Sequence, residues 1–459
     1  MKYDYLTTIS PIDGRYFNKT NCLRAIFSEY SFLKFRLKIE IKWLQKLSEI
    51  NEILELPKFD DNENNFLNKI LKEFDEKDAF WIKSLENKIN HDVKSLEYFL
   101  KKKINSFKCL KSISEFVHFA CTSEDINNLS YGLMLKKSKK ELLLPIWETI
   151  ILEIKNLVVL YKDIPMLSRT HGQAATTSTF GKEMSIFLYR MNRQKKQLKN
   201  IKILGKFNGS TGNYNSHFIA YPNVDWIKIS KDFVSSLGLE WNPCTTQIEP
   251  HDYISEIFSC IVRFNLILLD FNKDIWSYIS MNYLKQKESV DVVGSSVMPH
   301  KINPINFENS EGNLGLSNSI MIHMIKKLMV SRLQRDLSDS TVLRNIGTAL
   351  SYSYIAYDSS LIGIKKLKLN KNEIFKDLDK HWEILSEPIQ TIMRKYKICN
   401  SYEKMKFFTK GKKINREILH IFINKLKIPI FEKEKLKKLT PKTYLGLSKE
   451  IVNNCLKLN

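Results

Sequence analysis

The chain has 459 residues, 43% of them hydrophobic and 27% charged, which suffices for two or three packed domains and excludes a disordered or low-complexity chain. With only 15 Gly and 12 Pro it is too poor in turn formers for a loop-rich all-β protein, so long helices are expected. The net charge of +22 is mostly Lys dispersed among Asn and Ile, as AT-biased coding produces, and no nucleic-acid recognition motif accompanies it, so no nucleic-acid partner is expected.

The N-terminus, Met1-Lys2-Tyr3-Asp4-Tyr5, lacks the apolar core of a signal peptide. Residues 1–111 read as a domain of short helices with polar breaks, including Asp60 to Asn65 and the run Lys101-Lys102-Lys103. Over residues 112–364 the helical patterns lengthen. Met184, Phe187, Leu188 and Met191 fall on one face of an amphipathic helix, and Ile254, Ile257, Phe258 and Ile261 repeat that spacing. Phe264 to Leu269 is apolar nearly all round, as expected in the middle of a bundle. The most apolar stretch, Ile261 to Phe271, is broken by Arg263, Asn265 and Asp270, so no membrane span is expected. Polar, Gly- or Pro-containing segments at Ile164-Pro165, Asn208 to Asn213 and Gly294 to Pro304 punctuate these helices. Residues 365–459 return to short helices, with Pro388, Pro429 and Pro441 as breaks. The expected fold class is all-α, three mostly helical domains around a central long-helix bundle, with strands confined to small hairpins.

Cysteines stand at 22, 109, 121, 244, 260, 399 and 455 with no C-x-x-C pair, which points to a reducing cytoplasm rather than a disulfide framework. No H-E-x-x-H, G-x-x-x-x-G-K-[ST] or strand-linked G-x-G-x-x-G occurs, and no metal or organic cofactor is expected. The glycines Gly205, Gly209 and Gly212 read as a turn rather than a phosphate cradle.

Five segments concentrate hydrogen-bonding groups where an ordinary bundle needs none. In Gly294-Ser295-Ser296-Val297-Met298-Pro299-His300-Lys301-Ile302-Asn303-Pro304, a glycine admits close backbone approach while Lys301 and Asn303 can hold a carboxylate. In Ser168-Arg169-Thr170-His171-Gly172-Gln173, the histidine is of the residue type that most often serves as a general acid. Thr122-Ser123-Glu124-Asp125-Ile126-Asn127-Asn128 has the composition of a helix start, which is itself an anion site. Asn90-His91-Asp92 can likewise cap a helix, and Gln247 lies in a Thr-rich turn. Arginines combine with hydroxyls in Ser10-Pro11-Ile12-Asp13-Gly14-Arg15-Tyr16 and in the stretch from Ser331 to Asn345 that holds Arg335, Ser340 and Arg344. A forked guanidinium beside Ser or Thr suits a phosphate dianion.

Taken singly, each of these residues fits a cap or a solvated loop. Together the strings resemble the fumarase/aspartase superfamily, whose G-S-x-x-M-P-x-K-x-N-P, T-H-G-Q and T-S-x-D-I-N-N elements match Gly294 to Pro304, Thr170 to Gln173 and Thr122 to Asn128. After the second of these, which ends at Gln173, proline often follows in the superfamily, whereas this chain has Ala174. The arginine strings are similar to the branch that handles succinylated purine ribonucleotides, and the resemblance extends from Pro11 to Gly446.

The resemblance implies a fumarate-releasing β-elimination with Ser295 as base on a loop that closes over substrate and His171 as acid. It implies Thr122, Ser123, Lys301 and Asn303 around the succinyl carboxylates, Asn90, His91, Asp92, Ser296 and Asn309 as further substrate-binding residues, and Gln247 orienting the substrate. Arg15, Tyr16, Arg335, Ser340 and Arg344 would take the nucleotide and its phosphate. It also implies a homotetramer whose active sites draw on three subunits, and no cofactor. The competing expectations are a superfamily lyase acting on another substrate, such as argininosuccinate, and a basic nucleic-acid-binding helical protein, which steep salt dependence would reveal.

Overall fold

A computed structural model describes residues 4–287, 297–298 and 300–458 of the chain. The fold is all-α, as the composition leads one to expect. The first helices are α1 (Phe17–Phe27), α2 (Glu29–Ser48), α3 (Asp61–Glu73), α4 (Glu76–Ile89), α5 (Asp92–Asn105), α6 (Ser123–Ser138) and α7 (Leu144–Leu160). A hairpin, β1 (Pro165–Thr170) and β2 (Gln173–Thr179), leads into α8 (Phe180–Asn200). There follow β3 (Leu204–Gly205), α9 (Asn215–Ala220), α10 (Trp226–Ser236), β4 (Glu240–Trp241), α11 (Asp252–Ser280), β5 (Leu284–Gln286), α12 (Ile305–Leu328), α13 (Ser338–Leu343) and α14 (Ile346–Lys365). The chain ends with β6 (Leu367–Leu369) and, among the described residues, seven short helices from Lys371 to Leu458, one of them a 3-10 turn.

Two compact units are present, and each draws on three stretches of chain: 1–146, 195–265 and 312–356 in the first, 147–194, 266–311 and 357–459 in the second. In the first unit several helices, α2 to α5 and α10 among them, start on side-chain caps, as their sequences dictate. Asp60 and Glu63 form a reciprocal capping box on α3, and Ser28 accepts from the Ser31 N–H at the head of α2. Helix α2 is buried on nearly every side. Its Trp43 packs at tilted angles among Phe207, Phe233 and Trp226 with ring centroids 4.3–6.5 Å apart, and its indole N–H donates to the Phe119 carbonyl.

The long helices bury the faces their periodicity marks. Ile254, Ile257, Phe258 and Ile261 of α11 are closed off from solvent, as are Met184, Phe187, Leu188 and Met191 of α8. Leu266 departs from the all-round burial expected of its segment, for it is 50% exposed. Asn265, read as a polar interruption, is buried and donates to Asn318 Oδ1 at 2.8 Å and Ser353 Oγ at 2.9 Å, so the interior of the first unit carries a satisfied polar layer. In the second unit Asn272, Ser310 and Ser360 form a like triad at 2.8–3.0 Å.

The strands are only partly the small hairpins expected. Only β1 and β2 are joined by a tight turn; β3 and β4 pair in parallel, and β5 pairs with the remote β6. These last two are two- and three-residue pairings, too short for the period-2 alternation that betrays a strand in sequence. The end of α7 and the connection after it pack on α8 at Gly181, where a Cβ would lie 2.4 Å from the Lys162 Cα, so any side chain there would force the backbones apart.

Candidate active site

In the second unit, Thr170 pairs with Gln173 across a two-residue turn whose central residues, His171 and Gly172, have φ of 55° and 76°. Positive φ at both positions is the mark of a type I′ hairpin turn, which Gly favours and His tolerates. His171 is therefore presented at the exposed tip of a hairpin, and Ala174 to Thr179 continue as β2 before α8 begins. Proline at 174 would remove a ladder N–H, which agrees with its absence here.

The base of this hairpin is clamped. Arg169 donates to Asp377 at 2.5 Å and to the Tyr283 hydroxyl at 3.0 Å, and Tyr283 donates to the same Asp377 carboxylate. Burial alone would raise the Asp377 carboxyl; the Tyr283 and Arg169 hydrogen bonds override it and hold the group below the ordinary range. A carboxyl depressed in the folded state contributes stability above its unfolded pKa and loses it as pH falls through the folded value. Asp377→Asn is thus expected to cost about 1 kcal/mol at pH 7. The gap to the parent should close as pH drops below the ordinary carboxylate range, which thermal melts from pH 7 to pH 3 would check.

Also in the second unit, Lys301 is exposed with no ion pair among the described residues, and Asn303 and Asn309 are half-buried on either side of the start of α12. Ser295 and Ser296 lie outside the described residues.

The first unit gathers more of the candidates. Asp125, at the head of α6, reaches back to the Thr122 N–H at 2.9 Å and so fixes the Thr122-Ser123 turn. The same carboxylate accepts from the N–H groups of Asn208 and Gly209 and pairs with Lys206 Nζ at 2.8 Å, both side chains being fully buried. The Gly205 to Gly212 turn is thus an anion cradle, filled by the chain's own Asp125 rather than by a phosphate. Asn128 holds that turn by accepting from the Lys206 N–H and donating to the Lys206 carbonyl, and Asn127 accepts from Arg36 Nε at 2.8 Å. Both asparagines of the motif therefore act in the fold. The Ser123 hydroxyl has no partner among the described residues and is available to a ligand.

Asn90 ends α4 at φ 55° and His91 caps α5, its Nδ1 accepting from the Lys94 N–H. Asp92 pairs with Arg36 at 2.6 Å and with Arg344 at 3.3 Å. Burial would raise its carboxyl, but the two guanidiniums and the Val93 N–H hold it low. Arg344 also lines a cavity of about 280 Å³ with Ser10, Asp13, Arg24, Ser28 and Thr348, so the two arginine-rich strings of the sequence meet. Arg15 is exposed and Tyr16 half-buried on the turn before α1. Ser340 donates its N–H to Asp339.

Gln247 and Arg335, assigned from separate motifs, touch: Gln247 Oε1 accepts from Arg335 Nη1 at 3.1 Å. Arg335 Nη2 lies 3.3 Å from Glu124 and 3.9 Å from Asp339. Glu124, His251 and Asp339 are buried, with potential ligand atoms within 4.8 Å of one another, and Arg335 supplies a cation to the two carboxylates. Sequence reading missed Arg36, Glu124, Lys206, His251 and Asp339. The signal available was charge on buried faces: Arg36 interrupts the apolar run Phe32-Leu33 and Leu37.

A lyase family matches residues 14–317, and an adenylosuccinate lyase C-terminal family matches residues 331–445. The chain is 59% identical over 453 residues to an adenylosuccinate lyase of Buchnera aphidicola from Acyrthosiphon pisum, covering 99% of each protein. Identity to the adenylosuccinate lyase of Escherichia coli K12 is 55% over 446 residues, 97% of this chain and 98% of that one. The solved fumarate lyase of a Mesorhizobium species shares the fold at a TM-score of 0.79 and 15% identity, covering 96% of this chain and 98% of its own. Full-length identity of this order, with the C-terminal family matched as well, establishes that the chain belongs to the adenylosuccinate lyase family.

Proposed function

We propose that the chain releases fumarate by β-elimination from adenylosuccinate, giving AMP, and from the succinylated aminoimidazole carboxamide ribonucleotide. The observation that carries this is the likeness to adenylosuccinate lyases through 99% of the chain. The reaction breaks a C–H bond beside a carboxylate and then a C–N bond. It requires a base at carbon, an acid at the departing nitrogen and donors around the charge that develops.

Ser295 is the base and His171 the acid in this reading. A serine is a poor base at its free pKa and ionises only in a closed, water-poor loop beside Lys301 and backbone N–H groups. Thr122, Ser123, Lys301 and Asn303 hold the succinyl carboxylates. Asn90, His91, Asp92, Ser296 and Asn309 are further substrate-binding residues and Gln247 orients the substrate, while Arg15, Tyr16, Arg335, Ser340 and Arg344 hold the nucleotide and its 5′-phosphate. The Arg344 cavity shared with Ser10 and Ser28 supports the phosphate assignment, because it joins a guanidinium to hydroxyls.

The active form is a cytoplasmic homotetramer whose active sites are completed by neighbouring subunits. Exposed apolar side chains on the long helices support assembly: Leu152 and Leu160 on α7, Leu266 and Trp276 on α11, Leu316 and Ile322 on α12. Among the described residues no helix is long and apolar enough to cross a membrane.

Mixing purified protein with adenylosuccinate and following AMP and fumarate by chromatography tests the reaction. Fumarate from argininosuccinate instead would overturn the substrate assignment. Arg344→Ala is expected to raise KM for the nucleotide at least tenfold with kcat little changed, in line with the ~1.5–3 kcal/mol of a charged hydrogen bond. An unchanged KM in steady-state assays would remove Arg344 from the phosphate site.

A further inference from the structure

Arg335 is held on more than one side before any substrate arrives. Gln247 Oε1 takes one of its donors, and its Nη2 faces Glu124 at 3.3 Å and Asp339 at 3.9 Å. Its Nε–H, buried, makes no hydrogen bond. Asp339 in turn faces His251 Nε2 at 3.5 Å, and the His251 N–H donates to Glu249 at 2.7 Å. Glu124 is buried, 2% exposed, and sits in the first turn of α6 immediately after Ser123. Burial pushes its carboxyl up from the ordinary value against the opposing field of Arg335, the behaviour of a group whose siting is costly and whose compensation is that guanidinium. A buried glutamate at a helix start is not needed as a cap here, because Asp125 already performs that role on the Thr122 N–H.

We infer that Glu124 is a positioning residue, fixing the Arg335 guanidinium, and through it Gln247, against the Thr122-Ser123 turn so that the nucleotide and succinyl ends of the substrate are registered to one helix start. The inference rests on the reading of Arg335 as a ligand of the 5′-phosphate. An arginine in solution loses its rotamer freedom on binding a ligand; one held by Glu124 and Gln247 has lost it during folding. Removing the carboxylate leaves the guanidinium in place chemically but free to wander.

The test compares Glu124→Gln, Arg335→Ala and the double variant on adenylosuccinate and on its dephosphorylated nucleoside. Glu124→Gln is expected to raise KM for the nucleotide about tenfold, the order of one charge-assisted contact, with kcat within about threefold and KM for the nucleoside unmoved. The double variant should be no worse than Arg335→Ala alone, since an absent arginine cannot be mispositioned. Glu124→Asp, which keeps the charge on a shorter stem, should fall between parent and Glu124→Gln, and serves if the glutamine variant folds poorly. Equal losses on both substrates, or additive losses in the double variant, would overturn the positioning role and leave Glu124 as a fold residue. If Arg335→Ala itself fails to distinguish nucleotide from nucleoside, the phosphate reading of Arg335 falls, and this inference with it.

Discussion

His171→Asn is expected to lower kcat by about 10²–10⁴-fold, the usual loss on removing a positioned general acid, while leaving the melting temperature close to that of the parent. The contrast follows from where the side chain stands. His171 is exposed at the tip of the β1–β2 turn and its ring has no partner among the described residues, so its removal breaks no packing. The backbone there has φ of 55°, and asparagine tolerates that left-handed conformation as well as histidine does, whereas alanine would add strain of its own. The comparison that matters is therefore kcat against thermal stability in the same variant. Ser295→Ala should give the same split, with adenylosuccinate still bound when measured by equilibrium titration. A His171→Asn enzyme with kcat within threefold of the parent would take the histidine out of the acid role, and the departing nitrogen would need another donor.

The sequence announced its chemistry more clearly than its supports. Exposed or half-exposed loops such as Thr170 to Gln173 and Lys301 to Pro304 carry residue types that packing does not demand, so they stand out against amphipathic helices. The apolar faces of α8 and α11 were equally legible, since their burial follows directly from 3.6-residue periodicity. What could not be read was pairing. Nothing local links Asp125 to Lys206, 81 positions away, or Arg335 to Gln247 and Glu124. Asp125 looked like a cap and Lys206 like one more lysine in a lysine-rich chain. Likewise β3 with β4 and β5 with β6 are two- and three-residue pairings set by tertiary approach, and His171 was read as a loop residue because a His-Gly turn lacks the Asn-Gly or Asp-Gly signal.

Lys206→Met should lower the free energy of unfolding of the first unit by about 3–5 kcal/mol, the cost of stripping one partner from a fully buried ion pair. The methionine fills the stem volume, so the loss reports the charge rather than a cavity. Asp125 would keep the N–H groups of Thr122, Asn208 and Gly209, but three dipoles replace a full positive charge poorly in a site with no exposed surface. The Gly209 carbonyl would lose its shorter hydrogen bond as well, because Lys206 Nζ also donates there at 3.0 Å, and would keep only the 3.4 Å bond from the Gly212 N–H. Urea unfolding followed by tryptophan fluorescence is suitable, since Trp43 packs on Phe207, one residue from the substituted site. Asp125→Asn in the Lys206→Met background should recover part of the stability by removing the orphaned charge, and would separate an electrostatic cause from a steric one. If Lys206→Met alone unfolds at the parent's urea concentration, the desolvation of the two ions already cancels their attraction, and the Thr122-Ser123 turn is held by the backbone cradle without the lysine.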